Sequence, residues 1–220
     1  MPGKIAVIFD MDGVIIHSNP LITKAWRKFF ESQNILLTDE QLKHCVFGRT
    51  SGDTLRMVID KPMDANTIRA YQQTVETEVQ ALYRSEGTLI PGFKAFVESL
   101  KASNIAVAIA TAAPPLNVEA VLQMSDTASY FAIITNADDV HQSKPHPEVY
   151  LTTAKKLGID PQSCIVFEDS FSGIQSAKSA GMKVIGVTTT HSAEEFAGIT
   201  DAVINDFTKA SVEMVKWLMN

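Results

Sequence analysis

From Gly92 onward the chain alternates between short apolar runs and segments of helical period, and few architectures satisfy that rhythm. Residues 93–102 read as a helix and 106–110 as a strand; 116–123 follow as a helix and 132–135 as a strand. Residues 147–157, closing near Gly158, precede a strand at 164–167. Residues 172–180, closing at Gly181, precede a strand at 184–187, and 202–204 form another. An apolar run at 5–9 opens the series. Repeated βα units specify a mostly parallel sheet with helices on both faces, so an α/β, Rossmann-like core is expected.

Between the first strand and Gly92 the rhythm breaks. Residues 21–32, with Trp26, Phe29 and Phe30 on one face, then 39–45, 54–59 and 66–83 show helical periodicity without a convincing strand. A helical block inserted after the first strand would lie over the carboxyl ends of the strands, where open α/β sheets bind ligands. The expected organisation is a core of residues 1–14 and 89–220 with a helical cap of residues 15–88. Residues 14–19 and Pro91-Gly92 are the expected hinges.

Composition narrows the function. The 220 residues are 45% hydrophobic, enough to bury a core in one domain plus an insert. The net charge of −6, without a basic cluster, argues against nucleic acid or a membrane surface as partner. Cys45 and Cys164 lack metal or disulfide spacing and read as buried thiols. The longest apolar stretch, 105–116, is too short to span a bilayer and contains Pro114-Pro115. Lys4 leads straight into the first strand without a signal peptide. A soluble, cytoplasmic protein is expected, and a monomer.

Four strand ends carry chemistry. The first closes on Asp10-Met11-Asp12-Gly13, where Gly13 permits a sharp turn and hard oxygen ligands suit Mg²⁺. The second ends at Thr111, whose hydroxyl and the backbone N–H groups after it, beginning at Ala112, form a small anion cradle ahead of a helix. Lys144 follows, in a segment stiffened by Pro145 and Pro147. The fourth ends in Glu168-Asp169, adjacent acids that are costly at the end of a buried strand unless they bind a cation.

In order and in flanking strands, this set resembles the haloacid dehalogenase superfamily of phosphotransferases. In particular it is similar to the β-phosphoglucomutase-like branch, with its helical cap after the first strand. FDMDGV, the Lys-Pro-x-Pro segment and FEDSFSGIQSA carry the resemblance, which covers essentially the whole chain. It implies Asp10 as nucleophile and Asp12 as general acid and then base, with the higher effective pKa of the two. It further implies Mg²⁺ held by Asp10, the Asp12 carbonyl and Asp169 with Glu168 in support, and phosphoryl oxygens held by Thr111 and Lys144. An acid at position 12 favours phosphate esters, since the dehalogenases and the phosphonate-cleaving relatives of the superfamily lack it.

The expected activity is hydrolysis of a small phosphorylated metabolite. A sugar-phosphate mutase needs a second phosphate site. Here Ala112-Ala113-Pro114-Pro115 follows Thr111 without a hydroxyl or cation, and Phe47 stands where the mutases carry a lysine. Arg49 remains a candidate distal anchor. His17 replaces the aspartate usual in relatives and is either a hinge residue or a substrate contact at the entrance. The alternatives are a mutase, an inorganic pyrophosphatase and a phosphate-binding module without turnover.

Overall fold

The computed structural model of the chain describes residues 4–46 and 49–219. Strands β1 (Ala6–Phe9), β2 (Ala106–Ala110), β3 (Ile133–Thr135), β4 (Cys164–Glu168), β5 (Lys183–Val187) and β6 (Ala202–Ile204) form one sheet. The order is β3-β2-β1-β4-β5-β6, and every pairing is parallel. The chain steps outward from β1 to β3, then returns to the other side of β1 for β4. That reversal opens a crevice at the carboxyl ends of β1 and β4.

Helices cover both faces, so β1 and β2 carry no polar position, β4 is apolar up to the glutamate that closes it, and β1 is buried throughout. Alternate side chains divide between two cores. Val7, Phe9, Ile165 and Phe167 face α5 (Phe93–Ala102) and α9 (Val212–Leu218), where Phe9 meets the rings of Phe93 and Phe167 at 5.2 Å. Ile8, Val166 and Val184 face α7 (Glu148–Leu157) and α8 (Phe171–Ser179) on the other side. Helix α9 lies beyond the elements anticipated from sequence. Cys164 is buried and Cys45 only partly so, short of the full burial expected for both.

The segment between β1 and α5 is helical, as expected: α1 (Asn19–Ser32), α2 (Asp39–Val46), α3 (Ser51–Val58) and α4 (Ala65–Glu86). Trp26 stacks on Phe30 at 5.2 Å and Phe29 meets Tyr71, which binds α1 to α4. Thr50 and Asp64 cap α3 and α4 by accepting from Asp53 N and Thr67 N. The two chain crossings into this cap lie side by side. Ile90 N donates to Ile15 O at 3.0 Å, and His17 N donates to Thr88 O at 2.8 Å. The return crossing thus comes slightly before the expected Pro91-Gly92. Helix α4 then lies against α6 (Pro115–Ser125), where buried Gln80 donates to Asn117 Oδ1 at 3.0 Å. Among the described residues no helix is long and apolar enough to cross a membrane.

Candidate active site

Sheet register sets the site. Phe9 is level with Ile109 and Phe167, so Asp10, one residue further, stands beside Ala110 and Glu168. Lys144 enters this row from the loop before α7. Its Nζ donates to Asp10 Oδ1 and to Glu168 Oε1, both at 2.7 Å, and to Ala110 O at 3.3 Å. All three charged side chains are buried. Burial alone would depress the lysine pKa, but the Asp10 and Glu168 carboxylates outweigh it and hold the ammonium well above its usual range.

Glu168 is heavily hydrogen-bonded. Oε1 accepts from Lys144 and from Tyr150 OH at 3.0 Å; Oε2 accepts from Asp169 N, Ser170 N and Ser170 Oγ at 2.9–3.0 Å. This carboxylate fixes Lys144 and the start of α8. Ser170 in turn caps α8 by accepting from Gly173 N at 3.1 Å. Gly173 is glycine because a Cβ there would overlap the Glu168 carboxylate. Gly173→Ala is therefore expected to destabilise the fold by about 1–3 kcal/mol through overpacking. Denaturant unfolding measures it, and an unchanged midpoint would mean that α8 yields freely.

Asp169 faces the opposite way. Its Oδ2 accepts from Asn19 Nδ2 at 3.2 Å, from Thr189 Oγ1 at 3.4 Å and from Thr190 Oγ1. Gly13 turns beneath it with φ +80°, a conformation that strains other residues, and its carbonyl accepts from Thr189 Oγ1 at 2.6 Å. Asp12 lies toward the cap, where Tyr83 OH from α4 donates to Oδ1 at 2.6 Å. Thr111 is buried at the end of β2; its Oγ1 accepts from Ala113 N at 3.0 Å, and Thr111 and Ala112 both line the cavity above Asp10.

The acids are crowded. Burial raises the Asp10 pKa well above its usual value, with Glu168, Asp169 and Asp12 adding and Lys144 opposing. Burial and Glu168 lift Asp169 to about 7. Asp12 is also raised by burial, while the Tyr83 hydroxyl acts against the rise. Burial and three neighbouring carboxylates thus bear on Asp10 against one lysine.

Residues 7–187 match the family model of haloacid dehalogenase-like hydrolases. The chain belongs to that family. The phosphorylated carbohydrates phosphatase of Thermotoga maritima is 31% identical over 90% of both chains. Hexitol phosphatase B of Escherichia coli K12 is 32% identical over 83% of both. A β-phosphoglucomutase from Clostridium difficile superposes with a TM-score of 0.88 over 99% of this chain and 97% of its own, at 24% identity. The hydrolase thus has the fold of the β-phosphoglucomutase-like branch, and it is a phosphohydrolase.

In the hydrolase, Asp10, Glu168 and Asp169 each offer a carboxylate oxygen, all within 4.8 Å of one another. One buried lysine leaves this group short of positive charge, and hard oxygen donors so arranged fit a divalent cation. The Asp12 carboxylate, turned to Tyr83, is not part of that group.

The cavity above these acids encloses about 80 Å³, against roughly 300–1,000 Å³ for most small-molecule sites. The cap helices meet the core beside this cavity, through Tyr83 to Asp12 and Gln80 to Asn117. Arg49 reaches the cavity, whereas His17 does not line it: its side chain is exposed and its N–H is used at the hinge. His17 thus sits at the hinge and not among the residues lining the cavity. Phe47 lies outside the described residues. Asn19, Ser51, Glu76, Tyr83 and Asn117 also reach the cavity and were not singled out from sequence. The only available signal was helical phase: residues 76, 79 and 83 share one face of α4.

Proposed function

We propose that the chain is a Mg²⁺-dependent phosphatase that hydrolyses the phosphate monoester of a small carbohydrate or polyol through an aspartyl-phosphate. In this reading residues 15–88 act as a cap over a core of 1–14 and 89–220. The carrying observation is buried Lys144, 2.7 Å from both Asp10 and Glu168 at the end of the central strand. The names of the phosphatase relatives support the carbohydrate class.

An Asp10 carboxylate oxygen attacks phosphorus in line, and the bond to the ester oxygen breaks. Asp12, whose burial favours its protonated form, gives its proton to the departing alkoxide. The same carboxylate then takes a proton from water, which attacks phosphorus and releases Asp10 and inorganic phosphate. Lys144 and the Thr111–Ala112 turn hold the transferring oxygens, whose charge is offset electrostatically. Asp10, Asp169 and the Asp12 carbonyl, with Glu168 in support, would hold Mg²⁺, which would supply positive charge to keep Asp10 ionised and to offset that of the phosphoryl group. Ala112, Ala113 and Pro114 line the cavity without a side-chain cation or hydroxyl, which supports transfer to water over mutase chemistry.

Phosphate release from hexitol and hexose monophosphates, nucleotides, pyrophosphate and an aryl phosphate tests the reading. Release in Mg²⁺ that stops in EDTA, with a hexitol or hexose ester turned over best, is expected. Release from none of them in Mg²⁺, or undiminished release in EDTA, would overturn it.

A further inference from the structure

The cavity has two ends of different character. The phosphoryl end is described above. The other is made by the cap: Arg49, Ser51 and Glu76 bring polar groups, and Ile22, Trp26 and Val79 an apolar wall. Glu76 has no part in the chemistry, yet it stands half-buried on the face of α4 that also carries Val79 and Tyr83. The Ser51 hydroxyl lies against its carboxylate, and Asp138 lies near enough for the two carboxylates to repel. Among the described residues neither Glu76 nor Arg49 forms an ion pair.

The charges at this end do not suit an anion. Arg49 is largely exposed and screened by solvent, while Glu76 is partly withdrawn from it. The guanidinium is at best balanced by Glu76, and in the adjoining pocket, which Glu76 and Ser51 also line, Arg69 and Asp138 offset each other. A second phosphoryl group would therefore find no surplus cation. A chain of hydroxyls meets the opposite situation. Hydroxyl protons find the Glu76 carboxylate, hydroxyl oxygens find Arg49, Ser51 serves either, and the carbon skeleton lies on the Trp26 wall.

We infer that Glu76 is a specificity-determining residue: with Ser51 and Arg49 it takes the uncharged, hydroxyl-bearing end of a monophosphorylated polyol or sugar and rejects bisphosphates. This rests on the phosphatase reading of the same site.

The test measures binding in the Asp10→Asn background, with Mg²⁺ present, so that no turnover intervenes. Calorimetric Kd values for sorbitol 6-phosphate and glucose 1,6-bisphosphate are compared with Glu76 intact and as Glu76→Gln and Glu76→Lys. The intact site is expected to prefer the monophosphate. Glu76→Gln should narrow that preference by about tenfold or more, and Glu76→Lys should invert it. Glu76→Gln keeps shape and volume, so it remains informative if the lysine variant fails to fold. An unchanged ratio in Glu76→Gln would overturn the inference. Failure of the phosphatase reading shows separately, as absence of phosphate release by the otherwise unaltered protein.

Discussion

Asp10→Asn is expected to lower phosphate release by about 10⁴-fold or more while leaving the protein folded. The amide keeps the shape of the side chain but removes the anionic oxygen that would attack phosphorus. Stability should not suffer, because Lys144 keeps its 2.7 Å bond to Glu168 and one of several mutually repelling carboxylates is gone. Lost activity with an unchanged or raised melting temperature therefore separates a chemical role from a structural one. Stopped release accompanied by collapse would point to a structural role, and release above about one per cent of the original would remove Asp10 as nucleophile.

Lys144→Met should cost the metal-free protein about 3–5 kcal/mol, roughly 10 °C in melting temperature for a chain of this size. Methionine occupies similar space against the Tyr150 ring, over which Nζ sits at 4.9 Å, so the loss is one of charge. Asp10 and Glu168 would then share a buried site without a cation. The pH dependence has a definite sign. Carboxylates whose folded pKa exceeds the unfolded value bind more protons when folded, so their penalty grows as pH rises between the two values. Asp169, already at about 7 with the lysine present, shows the direction. The variant's deficit should therefore be larger at pH 8 than at pH 5, and millimolar Mg²⁺ should recover part of it. Equal melting of variant and parent at pH 8 in EDTA would show that Lys144 does not hold these acids together.

The strands are legible in sequence because the central ones are apolar on both faces up to their closing residues; Ala6–Phe9 leaves no polar position to misread. Asp10, Glu168 and Asp169 are legible for the opposite reason, as charge closing a run that otherwise excludes it. Lys144 is announced by the prolines that follow it. Tyr83 carries no such mark. It reads as one more large residue on the packing face of α4, and its bond to Asp12, 71 residues away, depends on how that helix docks beside α6. Glu76 is hidden likewise, since an acid on a helix normally faces solvent. Helix α9 escapes because it is seven residues long, with only Val212 and Val215 buried. At position 17 the departure from the family's usual aspartate is visible, but local sequence does not indicate that the side chain is exposed and does not line the cavity.

Tyr83 and Asn19 reach Asp12 and Asp169 from the cap side of the cleft. On the proposed reading substrate can enter only if that side moves away, and such a movement would take both donors off their carboxylates. Shutting the cleft would then also complete the hydrogen bonds around its acids.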